Sequence, residues 1–264
     1  MKIIAFCNQK GGAGKTTITL NTAGALVERE KRVLLIDLDP QASLSSVFIP
    51  NLERHSPTIA TLFRNSLSEK ISIEQVIFKN THVPRIDLLP SNGESRELEK
   101  LLMIDDEAQY YLKEELGPIR EQYDYILIDC PPNLYKFTKM ALVAADGCVI
   151  PLVCQEWCVS ATVDMISFIN TQVKVRPNRN LIFMGFVINQ YASREKVERA
   201  YHDQVMEQHP EAMFKTEIRY LTQYKQAAMA RLPITHFLPE SEAAQLFRDF
   251  ANELVTYEQS RQIS

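Results

Sequence analysis

Short, continuously apolar runs alternate along this chain with longer stretches in which apolar residues recur every three or four positions. A run that is apolar at every position reads as a strand buried on both faces, and the three-to-four spacing reads as a helix packed by one face. The runs fall at 3–7, 33–36, 125–128, 148–153 and 181–188, and Ile86 to Leu89, interrupted by Asp87, reads as a further short strand leaving through a turn. Helical spacing starts near Lys15, with Ile18, Thr22, Ala25 and Leu26, and Lys31 and Arg32 are expected to close that helix with positive charge. Further helices are expected at 57–64, 72–78, 94–102, 106–123, 138–144 and 159–173, with a loop at 80–84. From Ser193 the pattern predicts a helix with Val197, Tyr201 and Val205 as its apolar stripe, then a last strand at 214–218. Pro239-Glu240-Ser241 opens a final helix whose Ala243, Phe247, Phe250 and Leu254 sit at core spacing. Strand–helix alternation from 2 to 188 implies an α/β fold: a mostly parallel, twisted sheet with right-handed crossovers and helices on both faces, a three-layer sandwich.

The interval between the first run and the first helix carries the sharpest chemistry. Residues 8–17 read Asn-Gln-Lys-Gly-Gly-Ala-Gly-Lys-Thr-Thr. Strand, glycine-rich turn and helix in that order form the context of a phosphate-binding loop. Gly11, Gly12 and Gly14 lack Cβ, so the backbone can curl and aim successive N–H groups at phosphate oxygens. The helix N-terminus adds its unpaired N–H groups and the positive end of its dipole. Lys15 can reach β- and γ-phosphates, and the Thr16 hydroxyl is a natural Mg²⁺ ligand.

Two later runs end in carboxylates. Residues 33–36 lead into Asp37-Leu38-Asp39-Pro40-Gln41, and Tyr125 to Ile128 lead into Asp129-Cys130-Pro131-Pro132. In a parallel sheet these ends lie at the edge that carries the phosphate loop, which aims Asp37, Asp39 and Asp129 at the metal and the γ-phosphate.

Composition narrows the remaining choices. The chain has 264 residues, 45% hydrophobic and 23% charged, enough for a substantial core in one domain spanning 1–264. No apolar run is long enough to span a bilayer and Met1-Lys2 pass straight into a strand, so a cytoplasmic protein is expected. The five cysteines show no paired short-spacing zinc pattern: Cys154 and Cys158 sit four apart without a second pair, and Cys130 reads as a packed residue. Net charge is −4, so binding of nucleic acid needs a local patch. Between Lys174 and Arg231 there are ten Lys or Arg against six Asp or Glu. Arg194, Lys196, Arg199, Arg219, Lys225 and Arg231 are therefore candidates for phosphate contacts with DNA; the plain alternative for each is a solvated cation.

Lys10 sets this loop apart from an ordinary one. Lys-Gly-Gly-x-Gly-Lys-Thr-Thr, residues 10–17, resembles the deviant Walker A motif of the ParA/MinD family of P-loop ATPases. The resemblance extends in order through Asp37-x-Asp39-Pro40-Gln41, Leu88-Leu89-Pro90-Ser91-Asn92, Tyr125 to Pro132 and Ala141 to Asp146. These together look like a ParA-type, Soj-like partition ATPase and cover most of the chain. The resemblance implies ATP and Mg²⁺ as cofactors, an ATP-bound sandwich homodimer, sequence-independent binding of double-stranded DNA, and slow hydrolysis stimulated by a ParB-type partner. It also implies that Lys10 reaches the partner subunit's phosphates and that Lys15 and Gly11 to Thr17, Ala13 included, hold the chain's own. By the same resemblance Thr16, Asp37 and Asp129 serve the metal, Asp39 serves hydrolysis, and Asn189, after its strand, contacts adenine; a turn asparagine is the alternative there. A nucleoid-associated, cytoplasmic location follows.

The C-terminal third departs from that family. Where a Glu-Ala-Pro-Ser-like segment is usual, residues 224–233 read Tyr-Lys-Gln-Ala-Ala-Met-Ala-Arg-Leu-Pro. A MinD-like membrane-cycling or protein-positioning ATPase is the alternative reading, but it needs a basic amphipathic tail, and the tail after Phe250 carries Glu253, Glu258 and a single Arg261. A dethiobiotin-synthetase-like ligase is disfavoured by Lys10, and an iron-protein-like reductase by the cysteine placement.

Overall fold

The computed structural model describes residues 2–53, 56–64, 71–79, 81–156, 158–192 and 195–262. In chain order the first half comprises β1 (Lys2–Phe6), α1 (Lys15–Val27), β2 (Val33–Asp37), α2 (Ser43–Phe48), α3 (Ile59–Arg64), α4 (Ile73–Val76), β3 (Ile86–Leu89), α5 (Ser95–Leu102) and α6 (Ala108–Leu116). The second half comprises β4 (Tyr125–Asp129), α7 (Lys136–Ala144), β5 (Gly147–Leu152), α8 (Cys158–Phe168), β6 (Ile182–Tyr191), α9 (Lys196–Gln208), β7 (Ile218–Arg219), α10 (Gln223–Met229), α11 (Ile234–Phe237) and α12 (Glu242–Gln262).

The strands form one seven-stranded sheet in the order β3-β2-β4-β1-β5-β6-β7, and every pairing is parallel. The continuously apolar runs are explained by burial on both faces. Ile3, Ala5, Leu34, Ile36, Ile126, Ile128, Cys148 and Ile150 point into one apolar layer, which Leu98, Leu112, Phe137 and Met165 complete from α5 to α8. Ile4, Phe6, Val33, Leu35, Tyr125, Leu127 and Val149 point into the other, under Ile18 and Leu26 of α1 and Phe247, Phe250 and Leu254 of α12. Gly24 lets α1 lie close on the start of α11, because a side chain there would run into Pro233 and Thr235.

Several boundaries differ from the expected ones. The 106–123 segment breaks at Gly117-Pro118, where proline supplies no N–H to continue the ladder, and ends in a single 3-10 turn, Arg120–Gln122. The helix expected at 72–78 stops at Val76, and Phe78 bridges antiparallel to Leu88. Lys31 and Arg32 lie beyond α1, which ends at Val27. The 159–173 helix finishes in a π-helical turn, Ile169–Val173. Only Ile218 and Arg219 of the last strand pair, although the Phe214 amide still reaches Phe186 O at 2.9 Å. Val197 is 65% exposed and leaves the stripe to the buried Val205 and to Tyr201, which packs half-buried against the first layer. Among the described residues no helix is long and apolar enough to cross a membrane, and no group of His, Cys, Asp or Glu is arranged to hold a metal on its own. The Cys7, Cys130, Cys148 and Cys154 thiols are buried, and the Cys158 side chain lies outside the described set.

Candidate functional site

Pairing register assembles the site. Phe6, the last residue of β1, stands opposite Asp129, and Asp129 stands opposite Asp37. The glycine-rich loop and both strand-end carboxylates therefore leave the sheet at one level. The loop's tight curl uses positive φ at Gly12 (76°) and Gly14 (81°), and Gly14 is the N-cap of α1. Lys15 is buried, and its Nζ donates to Asn8 O at 3.0 Å and Lys10 O at 3.4 Å, spanning the loop from inside. Asn8 anchors the entry, with Nδ2 donating to Pro151 O at 2.7 Å and Oδ1 accepting the Lys10 amide at 2.9 Å.

The far side of the loop is clamped from β6. Asn189 Nδ2 donates to Ala13 O at 2.8 Å, and Gln190 Nε2 donates to Gly12 O at 3.0 Å. Asn189 was expected after its strand; it lies inside one, because β6 continues to Tyr191 through a register shift at Gln190, whose φ is 57°. Its amide grips the loop backbone in this structure.

Thr16 Oγ1 donates to Asp129 Oδ2 at 2.6 Å. Asp129 Oδ1 is buried and has no hydrogen-bond partner among the described residues. Asp37 is fully buried; its Oδ1 accepts the Asp39 amide at 3.0 Å, and its Oδ2 accepts the Ser45 amide at 2.8 Å and Ser45 Oγ at 2.7 Å. Burial pushes the Asp37 carboxyl up to about 6, against the pull of its donors. Burial, reinforced by the Asp37 charge, holds Asp129 well above the ordinary range. An orphaned Asp129 carboxylate oxygen beside the Thr16 hydroxyl, with the buried Asp37 behind it, is an all-oxygen donor set that fits a hard divalent cation such as Mg²⁺. A cation there would offset the cost of burying two negative charges.

A cleft of about 500 Å³ runs along the loop, lined by Gly11, Gly12, Gly14, Lys15, Thr16 and Thr17 and faced by Asp39, Gln190, Tyr224 and Ala228. Asp39 also borders an adjoining hollow of about 360 Å³ with Glu99, Pro131 and Tyr135. Its Oδ1 accepts the Gln41 amide at 2.9 Å, which folds the 39–42 turn. Lys10 is not a wall of the cleft: its Nζ lies 3.4 Å from Gln155 Oε1 and 3.4 Å from Glu156 O, on the loop after β5.

Lys196, Arg199, Arg219, Lys225 and Arg231 are all exposed, and Arg194 lies outside the described residues. Arg219 pairs with Glu242, and Lys225 Nζ sits 5.6 Å over the Tyr220 ring. Gln190, Asn8, Ser45, Tyr224 and Ala228 were not singled out from sequence for a role in the site. The positions of Asn8, at the head of the glycine-rich stretch, and of Gln190, next to Asn189 at the end of an apolar run, offered the local signals for them.

A parallel sheet that carries a glycine-rich loop into a helix, with two acids level with it on adjacent strands, defines a P-loop nucleotide-binding protein. A family model described as an AAA domain matches residues 1–183. The sporulation initiation inhibitor protein Soj of Bacillus subtilis is 30% identical over 253 residues, covering 96% of this chain and 98% of that one. The chain belongs to the ParA/MinD family of P-loop ATPases. Apo McdA of Cyanothece matches the fold with a TM-score of 0.84 at 22% identity, covering 96% of this chain and 99% of that one. Cobyrinic acid a,c-diamide synthase of Mycobacterium smegmatis, with bound ATP analogue and magnesium, matches with a TM-score of 0.80 at 25% identity over 98% of this chain and 96% of that one.

Proposed function

We propose that this ATPase is a DNA-partition motor component: ATP binding drives a sandwich homodimer with non-specific affinity for double-stranded DNA, and hydrolysis, stimulated by a ParB-type partner, releases the DNA. In this reading Gly11 to Thr17 and Lys15 hold the phosphates, Thr16, Asp37 and Asp129 hold Mg²⁺, and Asp39 orients the attacking water. Bound Mg²⁺ would supply charge neutralisation across the β- and γ-phosphate oxygens. Lys10, directed out of its own cleft, serves the partner subunit's phosphates. Asn189 and Gln190 shape the loop, with Asn189 bordering the base. A nucleoid-associated cytoplasmic location goes with this function.

The observation that carries the DNA reading is the placement of α10. Tyr224 and Ala228 face the nucleotide cleft, while Lys225 on the same short helix faces solvent. β7 carries Arg219 and is followed by Tyr220, whose amide donates to Tyr191 O at 3.2 Å at the end of the strand that clamps the loop. A ligand filling the cleft therefore touches the element that presents the cations, which supports a nucleotide-controlled phosphate-backbone contact. The test is binding to a random-sequence duplex with ATP and Mg²⁺, with ADP, and without nucleotide, each across a salt series, with Lys15→Ala as the control for loop occupancy. Binding confined to ATP and falling steeply with salt is expected. ATP-dependent dimerisation without DNA binding in any state would overturn the DNA assignment and leave a protein- or membrane-positioning ATPase.

A further inference from the structure

The turn Pro90-Ser91-Asn92 leaves β3 and leads into α5, and nothing in the reaction described above gives it a part. It lies against the carboxylate that ends β2. Ser45 Oγ, which donates to Asp37 Oδ2 at 2.7 Å, accepts the Ser91 amide at 2.9 Å. Ser91 Oγ lies 3.0 Å from Ser95 Oγ in the first turn of α5. Beyond Asp37, the bonds continue from its Oδ1 to the Asp39 amide at 3.0 Å. Ser45, Ser91 and Ser95 are 1%, 0% and 0% exposed, so no bulk water stands ready to replace a lost partner.

The relay has a fixed direction. An amide N–H can only donate, so the Ser91 amide occupies a lone pair of Ser45 Oγ, and the single Ser45 proton is left for Asp37. Asp37 Oδ2 then takes two donors from Ser45 and Oδ1 takes one from Asp39, which pins the carboxylate plane. The Asp39 amide in turn sets the start of the 39–42 turn, where Ala42 has φ 55° and Asp39 borders the cleft. None of these bonds touches the phosphate loop.

The geometry points to Ser45 as a positioning residue: backed by the Ser91 amide, it orients Asp37 toward the Thr16–Asp129 metal locus and, through Asp37, fixes the turn that carries Asp39. This rests on the reading that Asp37 and Asp39 serve nucleotide hydrolysis. Ser45 thus governs metal dependence and turnover and leaves affinity for metal-free nucleotide alone. Because Ser91 contributes its main chain, Ser91→Ala keeps the relay.

The experiment uses the full chain and a fluorescent ATP analogue titrated with and without Mg²⁺, together with phosphate release and a thermal melt. Ser45→Cys, nearly isosteric and a weak donor, carries the test where Ser45→Ala does not fold. For Ser45→Cys we expect metal-free affinity within about twofold of wild type, but kcat and the Mg²⁺-dependent gain in affinity each reduced about tenfold, the worth of one hydrogen bond to a charged group. Ser45→Thr should restore both, and Ser91→Ala should match wild type. A Ser45→Cys protein with wild-type turnover and Mg²⁺ dependence overturns the relay alone. So does a Ser45→Thr protein impaired more than Ser45→Cys, since volume would then be what matters. A wild-type chain that neither binds nor hydrolyses ATP overturns the underlying reading, and the relay with it.

Discussion

Alanine at Gly14 perturbs the phosphate loop in two ways that can be separated. Gly14 sits at φ 81°, a left-handed conformation in which a Cβ costs roughly 1–2 kcal/mol. That Cβ would also fall well inside van der Waals contact of Asn189 Nδ2, and 3.3 Å from Gln190 Nε2. Asn189 must rotate away, which breaks its 2.8 Å bond to Ala13 O and costs about 1 kcal/mol more. Together the two effects disfavour the phosphate-ready loop by about 2–3 kcal/mol, which corresponds to roughly 30- to 150-fold weaker nucleotide binding. The assay is an equilibrium titration with a fluorescent ATP analogue, alongside a thermal melt to confirm folding. A second variant isolates the steric part. In Gly14→Ala with Asn189→Ala the clash is gone and only the backbone cost remains, so the double variant should bind about tenfold more weakly than Asn189→Ala alone. Gly14→Ala binding within about threefold of wild type would refute the reasoning, as would a double variant showing the full loss relative to Asn189→Ala.

Three further outcomes are expected. Lys10→Ala should keep nucleotide binding, because Lys10 does not line its own cleft, while dimerisation or turnover fails; light scattering and phosphate release check it, and unchanged turnover would remove the trans role. Asp39→Ala should retain the ATP-bound dimer and lose at least about tenfold in phosphate release, the low end for a group that orients a nucleophile; normal release reassigns the carboxylate. In chelator, the Asp37 carboxyl, raised to about 6 from 3.8, gives a sign opposite to an ordinary paired aspartate. The folded state holds this proton more tightly than the unfolded chain, so stability falls as pH rises from about 4 through 6, by about 3 kcal/mol in the limit. Thermal melts of wild type against Asp37→Asn from pH 4 to 7 should show the wild type losing ground as pH rises, and a pH-independent gap would contradict the burial argument.

What was legible in the chain was what local spelling encodes. Continuous apolar runs marked the five inner strands because both faces of a parallel sheet are buried, and the Gly-Gly-Ala-Gly-Lys-Thr-Thr turn marked the site because positive φ demands glycine. Asp37 and Asp129 were legible as strand ends, and register made them neighbours. Other motifs were visible as spelling without chemistry. Asp146, the last residue of the Ala141-to-Asp146 stretch, acts at the opposite edge, where its Oδ2 accepts the Ile3 amide at 2.9 Å and pins β1. Boundaries slipped where a tertiary contact outweighed periodicity, as at Phe78, which leaves the expected helix to bridge Leu88.

The clamp on the phosphate loop was illegible for a deeper reason. Asn189 and Gln190 reach Ala13 and Gly12 across sequence separations of 176 and 178 residues. No window along the chain contains both partners, and each amide alone looks like a turn residue. The same holds for Tyr224 and Ala228, which fall in the stretch that departs from the family pattern yet face the cleft. The two halves of the site thus differ in kind. The phosphate and metal side is written in contiguous motifs on β1, β2 and β4, whereas the side facing it is assembled by β6, β7 and α10 through long-range pairing. Sequence divergence in the second half can therefore alter what the cleft responds to, and what it signals to the surface of α10, while the phosphate-binding half stays as it is.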